Sequence, residues 1–231
     1  MTTRSGRAVL FDIDGTLVDT NYLHAVVWRR VFLDHGHPEI TTARIHGLVG
    51  MGTDQLLETL LGRPRPDLKS ARAKHFDGLK DEIRALPGAA DLLRAVHDRG
   101  VRVVLATSAE KSDLEALLAA IGADDAIDAV TGASDVDEAK PSPDIFEAAL
   151  ELVGTAPEDT VAVGDTIWDV KAAARAGLPC VALTTGGIHR AELEAAGAVA
   201  VYDDPATLLG GLDDSPLLGG TSTESSPRRT E

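Results

Sequence analysis

The chain has 231 residues, of which 44% are hydrophobic, and a formal net charge of −15. Such an acidic surface disfavours binding to nucleic acid or to an anionic membrane, because proteins bind both of these through basic residues. No apolar run approaches the roughly 20 residues of a membrane span, and the single cysteine, Cys180, cannot form an intrachain disulfide. We therefore expect a cytoplasmic globular protein, as a monomer or a homodimer, whose partner is a small molecule. An anionic ligand would need a local cation or a metal ion.

Short apolar segments alternate with amphipathic helical segments along most of the chain. The expected strands are residues 8–11, 101–106, 160–163, 180–183 and 199–202. The expected helices are residues 89–99, 111–121, 144–153, 167–176 and 190–196, each followed by glycine. This alternation predicts an α/β fold with a doubly wound parallel (Rossmann-like) sheet, in which ligands bind at the carboxyl ends of the strands.

The segment from residue 20 to residue 85 breaks this alternation, because only helical patterns occur in it. They cover residues 23–35, 41–49, 54–61 and 68–83. We expect an inserted α-helical cap domain at residues 20–85, a core domain of residues 1–19 and 86–212, and a disordered tail at residues 213–231. A single continuous domain with a helical excursion is the alternative.

Two aspartates follow the first expected strand. Asp12 and Asp14 are separated by one residue, so their carboxylates would share one face of a regular strand. Like charges this close repel each other unless a shared proton or a cation relieves them, and a divalent metal ion is such a cation. Pairs of this kind also occur in turns and at solvated strand edges, so the pair alone leaves both interpretations open.

The sequence around this pair carries a family resemblance. Residues 12–18, Asp-Ile-Asp-Gly-Thr-Leu-Val, resemble the first motif of the haloacid dehalogenase superfamily, most of whose members are phosphatases and phosphomutases. Thr107, Lys140, Asp165 and Asp169 follow in the order of the other family motifs. A helical insertion directly after the first motif resembles the branch of phosphoglycolate phosphatase and β-phosphoglucomutase.

The resemblance implies catalytic roles for four residues. Asp12 would be the nucleophile that accepts the phosphoryl group, and Asp14 would be the general acid and base. Thr107 would donate a hydrogen bond to a phosphoryl oxygen. Lys140 would neutralise the nucleophile and the incoming phosphate.

The resemblance also implies a Mg²⁺ site. The Asp12 carboxylate, the Asp14 backbone carbonyl and the Asp165 carboxylate would be its ligands, because Mg²⁺ prefers oxygen ligands together with several waters. Asp169 would hold a metal-bound water or orient Lys140.

The implied function is Mg²⁺-dependent hydrolysis of a small phosphomonoester metabolite through an aspartyl-phosphate. Dehalogenation is disfavoured, because the dehalogenases of the superfamily lack the second acid at the place of Asp14. A β-phosphoglucomutase-like sugar phosphomutase is an alternative, since His24 follows Asp12 by twelve residues as in that enzyme. However, Thr53 and Gly164 stand where the mutase has arginine and glutamate. A non-catalytic regulatory module is a more remote alternative.

Substrate selection is expected on the face of the cap near residues 50–55. The candidate substrate contacts are His24, Thr53 and Ser108. Arg44 and His46 are further candidates.

Overall fold

The computed structural model describes residues 6–219, and its centre is a six-stranded sheet with parallel neighbours throughout. The strands are β1 (Ala8–Phe11), β2 (Arg102–Ala106), β3 (Ala129–Thr131), β4 (Thr160–Gly164), β5 (Cys180–Leu183) and β6 (Ala200–Tyr202). Their spatial order is β3-β2-β1-β4-β5-β6. This order reverses between β1 and β4, so the carboxyl ends of these two strands border the crevice in which such sheets bind ligands.

The helical insertion, residues 20–85, follows β1. Its helices are α1 (Asn21–Asp34), α2 (Thr42–His46), α3 (Thr53–Leu61) and α4 (Pro66–Asp77). Apolar side chains from all four helices form a cluster of their own, which includes Trp28, Ile45, Leu57 and Leu68. Phe76 belongs instead to the main core, so the division into cap and core domains stays a prediction.

The remaining helices cover both faces of the sheet. They are α5 (Ala89–Asp98), α6 (Lys111–Ile121), α7 (Asp144–Val153), α8 (Ile167–Arg175), α9 (Arg190–Ala196) and α10 (Pro205–Gly210). In β1, Val9 and Phe11 face the cluster formed with α5, α6 and α10, whereas Ala8 and Leu10 face α7, α8 and α9. This alternation follows from the two-residue period of a strand. Within residues 6–219, none of the helices is both long enough and apolar enough to cross a membrane.

The predicted doubly wound parallel sheet is confirmed, with differences at the level of single elements. Neither β3 nor α10 is predicted from the sequence, because both are short: β3 has three residues, two of them only partly buried, and α10 has six residues. The helix predicted at residues 68–83 is wrong in its last part. α4 ends at Asp77 before Gly78, and Lys80–Glu82 forms a separate 3₁₀ turn.

The prediction of a disordered tail from residue 213 is wrong for residues 213–219. Two 3₁₀ turns form there, and Leu217 is buried in the main core. Arg7 donates a hydrogen bond from Nη1 to the Leu218 carbonyl at 2.8 Å. The burial of Leu217 and this hydrogen bond offset the conformational entropy that is lost when the segment becomes ordered. The rest of the predicted tail, residues 220–231, lies outside the described residues.

Candidate active site

The reversal point of the sheet brings together residues that are far apart in the sequence. Asp12 directly follows β1, and Asp165 directly follows β4. The Asp12 amide donates to the Val163 carbonyl of β4 at 2.9 Å, which extends the pairing of the two strands. Both aspartates are buried. Their side chains therefore meet at the crevice expected for this strand order.

Three carboxylates form a buried cluster at this point. Asp12, Asp165 and Asp169 each place a carboxylate oxygen within 4.8 Å of the others. Thr16 donates to Asp165 at 2.7 Å, and Asn21 donates to the other oxygen of Asp165 at 2.6 Å. These bonds fix Asp165 from the loop and helix that follow β1.

Asp169 is oriented by the start of its own helix. The Thr166 backbone amide donates to Asp169 Oδ2 at 3.0 Å, and the Thr166 hydroxyl donates to the same oxygen at 2.5 Å. In return, Thr166 accepts a hydrogen bond from the Asp169 amide. This reciprocal pair is a capping box, which stabilises the first turn of α8. It leaves Oδ1 of Asp169 facing Lys140.

Lys140 is the cation of the cluster. Its Nζ lies 2.5 Å from Asp12 Oδ1 and 2.7 Å from Asp169 Oδ1, and it donates to the Ala106 carbonyl at 3.2 Å. The side chain is 1% exposed. A buried lysine is stable only when carboxylates and hydrogen bonds compensate its charge.

The pKa values reflect an excess of buried negative charge. Burial raises the pKa of Asp12 to about 7, although Lys140 acts in the opposite direction. Burial and the adjacent Asp169 and Asp12 carboxylates raise the pKa of Asp165 well above its ordinary value. Burial lowers the pKa of Lys140, but Asp12 and Asp169 outweigh it and raise the net value. The cluster thus contains three carboxylates and one ammonium group.

The donor set fits a small divalent cation. Three carboxylates supply hard oxygen ligands, which Mg²⁺ prefers, and a second positive charge would relieve their mutual repulsion. The side chain of Asp14 contacts Thr20 at 2.6 Å and His24 at 2.9 Å. The Asp14 carboxylate is thus engaged outside this cluster, and its backbone carbonyl as a metal ligand stays a prediction.

Asp14 belongs to a second polar group that faces the helical insertion. Burial raises the pKa of Asp14, but the interaction with His24 and the hydrogen bond from Thr20 outweigh it, so the net pKa lies below the ordinary value. Arg72 Nη2 lies 3.0 Å from His24 Nδ1. A guanidinium can only donate, so Nδ1 is the acceptor, and Nε2 carries the hydrogen that is donated to Asp14.

Arg72 belongs to this group and is not predicted from the sequence. Its Nη1 donates to Asp113 Oδ2 at 2.5 Å, and both residues are buried. α4 carries Arg72 and α6 carries Asp113, so the ion pair joins the helical insertion to a helix that covers the sheet. A charged residue on a helix normally indicates a solvated surface. No local signal marked either residue, because their burial depends on how two distant helices pack.

Comparison with known proteins identifies the family. The family model described as haloacid dehalogenase-like hydrolase matches residues 7–177, a span that contains the carboxylate cluster and Lys140. The chain belongs to this family. The match confirms the resemblance seen in the sequence motifs and shows that the protein is a hydrolase of the haloacid dehalogenase-like type.

Individual relatives of this hydrolase agree with the match. Phosphoglycolate phosphatase of Pseudomonas putida is 30% identical over 93% of this chain and 82% of its own. A crystal structure of a hydrolase from Pseudomonas syringae superposes with a TM-score of 0.85, at 33% identity over 90% of this chain and 98% of its own. Mutant CbbY from Rhodobacter sphaeroides, in complex with xylulose-(1,5)bisphosphate, has a TM-score of 0.73 and 32% identity over 89% of this chain and 98% of its own.

The predicted substrate contacts of this haloacid dehalogenase-like hydrolase lie around one cleft. His24, Thr53 and Ser108 line it together with Asp12 and Asp14. Their role in binding substrate stays a prediction.

The other predicted contacts lie elsewhere. Thr107 lines an adjoining groove, and its hydroxyl accepts a hydrogen bond from the Ala109 amide at 3.0 Å. His46 stacks on Tyr22 and bonds to the Gly186 carbonyl at 2.8 Å. Arg44 is exposed, and neither Arg44 nor His46 lines the cleft. The role of Thr107 at a phosphoryl oxygen also stays a prediction.

Proposed function

We propose that this protein is a Mg²⁺-dependent phosphatase that hydrolyses a small phosphomonoester through an aspartyl-phosphate at Asp12. The observation that carries the proposal is the position of Asp12, which lines the cleft while its Oδ1 lies 2.5 Å from Lys140. The phosphatase name of the Pseudomonas putida relative and the sugar bisphosphate bound to CbbY support a phosphorylated substrate.

The metal would be held by the Asp12 and Asp165 carboxylates and the Asp14 backbone carbonyl. When bound, Mg²⁺ supplies positive charge that polarises phosphoryl oxygens and keeps carboxylates ionised. The 2.7 Å contact between Asp169 and Lys140 favours the second of its expected roles, in which Asp169 orients the lysine.

Asp12 then acts as the nucleophile, and Asp14 acts as the general acid and base. A carboxylate oxygen of Asp12 attacks phosphorus, and the bond from phosphorus to the substrate's alcohol oxygen breaks. Asp14 donates a proton to the departing alcohol. Asp14 next removes a proton from a water molecule, which attacks the phosphorus of the aspartyl-phosphate and releases inorganic phosphate with the Asp12 carboxylate.

The low pKa of Asp14 in the free protein requires that substrate binding raises it. An incoming phosphoryl group carries negative charge, which disfavours the ionised form of a nearby carboxyl. Thr20 and His24 hold the carboxyl in place during this change. Lys140 stabilises the negative charge on the transferred group in both steps.

Hydrolysis is favoured over a phosphomutase reaction. A mutase has to bind phosphate at either end of its substrate, whereas Thr53 offers the cleft a neutral hydroxyl at the place expected for a cation. With β-glucose 1-phosphate, the proposal expects inorganic phosphate as the product. Accumulation of glucose 6-phosphate would favour the mutase instead.

The proposal is tested with a panel of phosphomonoester metabolites, with and without Mg²⁺. We expect Mg²⁺-dependent phosphate release that falls by about 10³-fold or more in Asp12→Asn, because the nucleophile is lost. Asp159→Asn is the matched control, because this exposed aspartate directly precedes β4 and so lies at the amino end of the strand, away from the cleft. Turnover that survives in Asp12→Asn would exclude the proposed nucleophile.

A further inference from the structure

The cleft beyond the strand ends is lined mainly by uncharged side chains. Its walls include the apolar residues Trp28, Val49, Met51 and Leu56 and the hydroxyl residues Thr53 and Ser108. The reacting phosphoryl group belongs at the Asp12 end. The rest of the cleft therefore has to accommodate the alcohol part of the substrate, and Arg72 and Glu110 are the two charged residues of the described chain that line that part.

Arg72 is already neutralised. Its guanidinium contacts Asp113 at 2.5 Å and His24 at 3.0 Å, and it lies 4.4 Å above the centre of the Phe76 ring. The side chain is 10% exposed and Asp113 is 2% exposed. The buried Asp113 carboxylate thus already offsets the Arg72 charge, which leaves little net attraction for a second anion.

Glu110 adds negative charge at the rim of the cleft. It lies 3.0 Å from Lys69, and Lys69 also contacts Asp54 at 3.5 Å. Two carboxylates thus share one ammonium. Lys69 offers no uncompensated charge to a ligand.

The adjoining groove is also negatively charged. Asp54, Glu58, Glu110, Asp137 and Glu138 line it, and among residues 6–219 its one basic residue is Lys69. An anion that extends from the cleft into this groove meets repulsion, because Arg72 and Lys69 are both paired already. Carboxylates that outnumber the cations beside them select against an anionic ligand.

We propose, on the basis of the phosphatase function above, that the substrate's alcohol is uncharged and that a second phosphate or a carboxylate is selected against. Phosphoglycolate and xylulose-1,5-bisphosphate each carry such a second anion. The cleft thereby distinguishes this chain from the phosphoglycolate phosphatase of Pseudomonas putida and from CbbY, whose descriptions name these two compounds as a substrate and as a bound ligand. Glu110, at the rim of the cleft, is the residue that determines the preference for an uncharged alcohol.

Glycerol 3-phosphate and 3-phosphoglycerate are a matched pair of probes, because they differ in a hydroxymethyl group against a carboxylate. Each is tested as a substrate and as a competitive inhibitor of p-nitrophenyl phosphate hydrolysis. We expect glycerol 3-phosphate to be favoured by about tenfold in kcat/KM or Ki at low salt, which corresponds to one repulsive contact. The preference should decrease as KCl screens the charges.

Glu110→Gln tests the residue. We expect this variant to reduce the preference for glycerol 3-phosphate severalfold. Glu158→Gln changes the net charge equally at an exposed position before β4 and should leave the preference unchanged. Equal use of the two probes by the wild type, inhibition by neither, or a preference that Glu110→Gln does not change would overturn the inference.

Hydrolysis of p-nitrophenyl phosphate separates the two claims. If its hydrolysis requires Asp12 and the wild type prefers 3-phosphoglycerate, the inference about the alcohol fails and the phosphatase function stands. If neither this ester nor any metabolite in the panel is hydrolysed, the proposed function itself fails.

Discussion

Asp12 is buried beside two further carboxylates, and its titration should therefore affect folding. In the folded protein its pKa is about 7, whereas the ordinary value is 3.8. The folded state binds the proton more tightly than the unfolded state does. The stability that this proton contributes is fully present below about pH 3.8 and is lost as pH rises to about 7.

The resulting prediction concerns the metal-free protein. In EDTA, the free energy of unfolding should fall between pH 5.5 and pH 7.5 by at most about 1.4 kcal/mol per pH unit from this group. Asp12→Asn should have a shallower slope over the same range, and Asp159→Asn should retain the wild-type slope. Denaturant titrations at a series of pH values measure both. Identical slopes for the wild type and Asp12→Asn would contradict the attribution of this pH dependence to Asp12.

Arg72 and Asp113 form a second buried ion pair, and its loss should be costly. Asp113→Asn leaves the buried Arg72 charge without its partner, so we expect the free energy of unfolding to fall by about 3 kcal/mol. We also expect kcat to fall, because Arg72 orients His24. Asp125→Asn is the control, since Asp125 pairs with Arg94 in an exposed position at 2.8 Å, where the loss should be much smaller. Equal losses in the two variants would contradict this account.

At the scale of elements, the loop after β1 depends on Gly15. This glycine has a φ of +81°, and a Cβ placed on it would lie 2.4 Å from both Asn21 Nδ2 and Asp165 Oδ2. A side chain there would pay the backbone cost of a left-handed residue, about 1–2 kcal/mol. It would also displace a proposed metal ligand.

Gly15→Ala should therefore weaken Mg²⁺ binding as well as stability. Gly100→Ala is the matched control, because Gly100 has a φ of +76° and a Cβ placed on it would meet no described atom within 4 Å apart from its chain neighbours. We expect both variants to lose similar backbone stability, but only Gly15→Ala to lose the Mg²⁺-induced increase in Tm. Retention of that increase in Gly15→Ala would show that Asp165 does not need this close approach.

The sequence predicts elements best where burial is complete. All four residues of β1 and of β5 are buried, so both strands read as continuous apolar runs. β3 has three residues and is half-buried at the sheet edge, which leaves too little pattern to recognise. The order of the family motifs brought Asp12, Lys140, Asp165 and Asp169 together in advance. Strand geometry explains only part of this, because the carboxyl ends of the parallel strands β1 and β4 place Asp12 and Asp165 at one edge.

At the scale of the whole molecule, the packing of the insertion against the sheet could not be predicted. Arg72 and Asp113 are 41 residues apart, and each lies on a helix whose polar face would normally be solvated. Their burial arises from tertiary packing, as does the pairing of Lys69 with Glu110. The motifs therefore locate the carboxylates that we propose to react, whereas the proposed selectivity of the cleft rests on contacts that only the folded molecule shows.

The central claim is that Asp12 carries the phosphoryl group during turnover. The most direct measurement is acid quenching of the enzyme during turnover of its best panel substrate with Mg²⁺, followed by mass analysis of its peptides. We predict one added phosphoryl group on the peptide that contains Asp12, and no such species in Asp12→Asn. Rapid turnover with no phosphorylated enzyme, or a phosphoryl group on a different residue, would contradict the account.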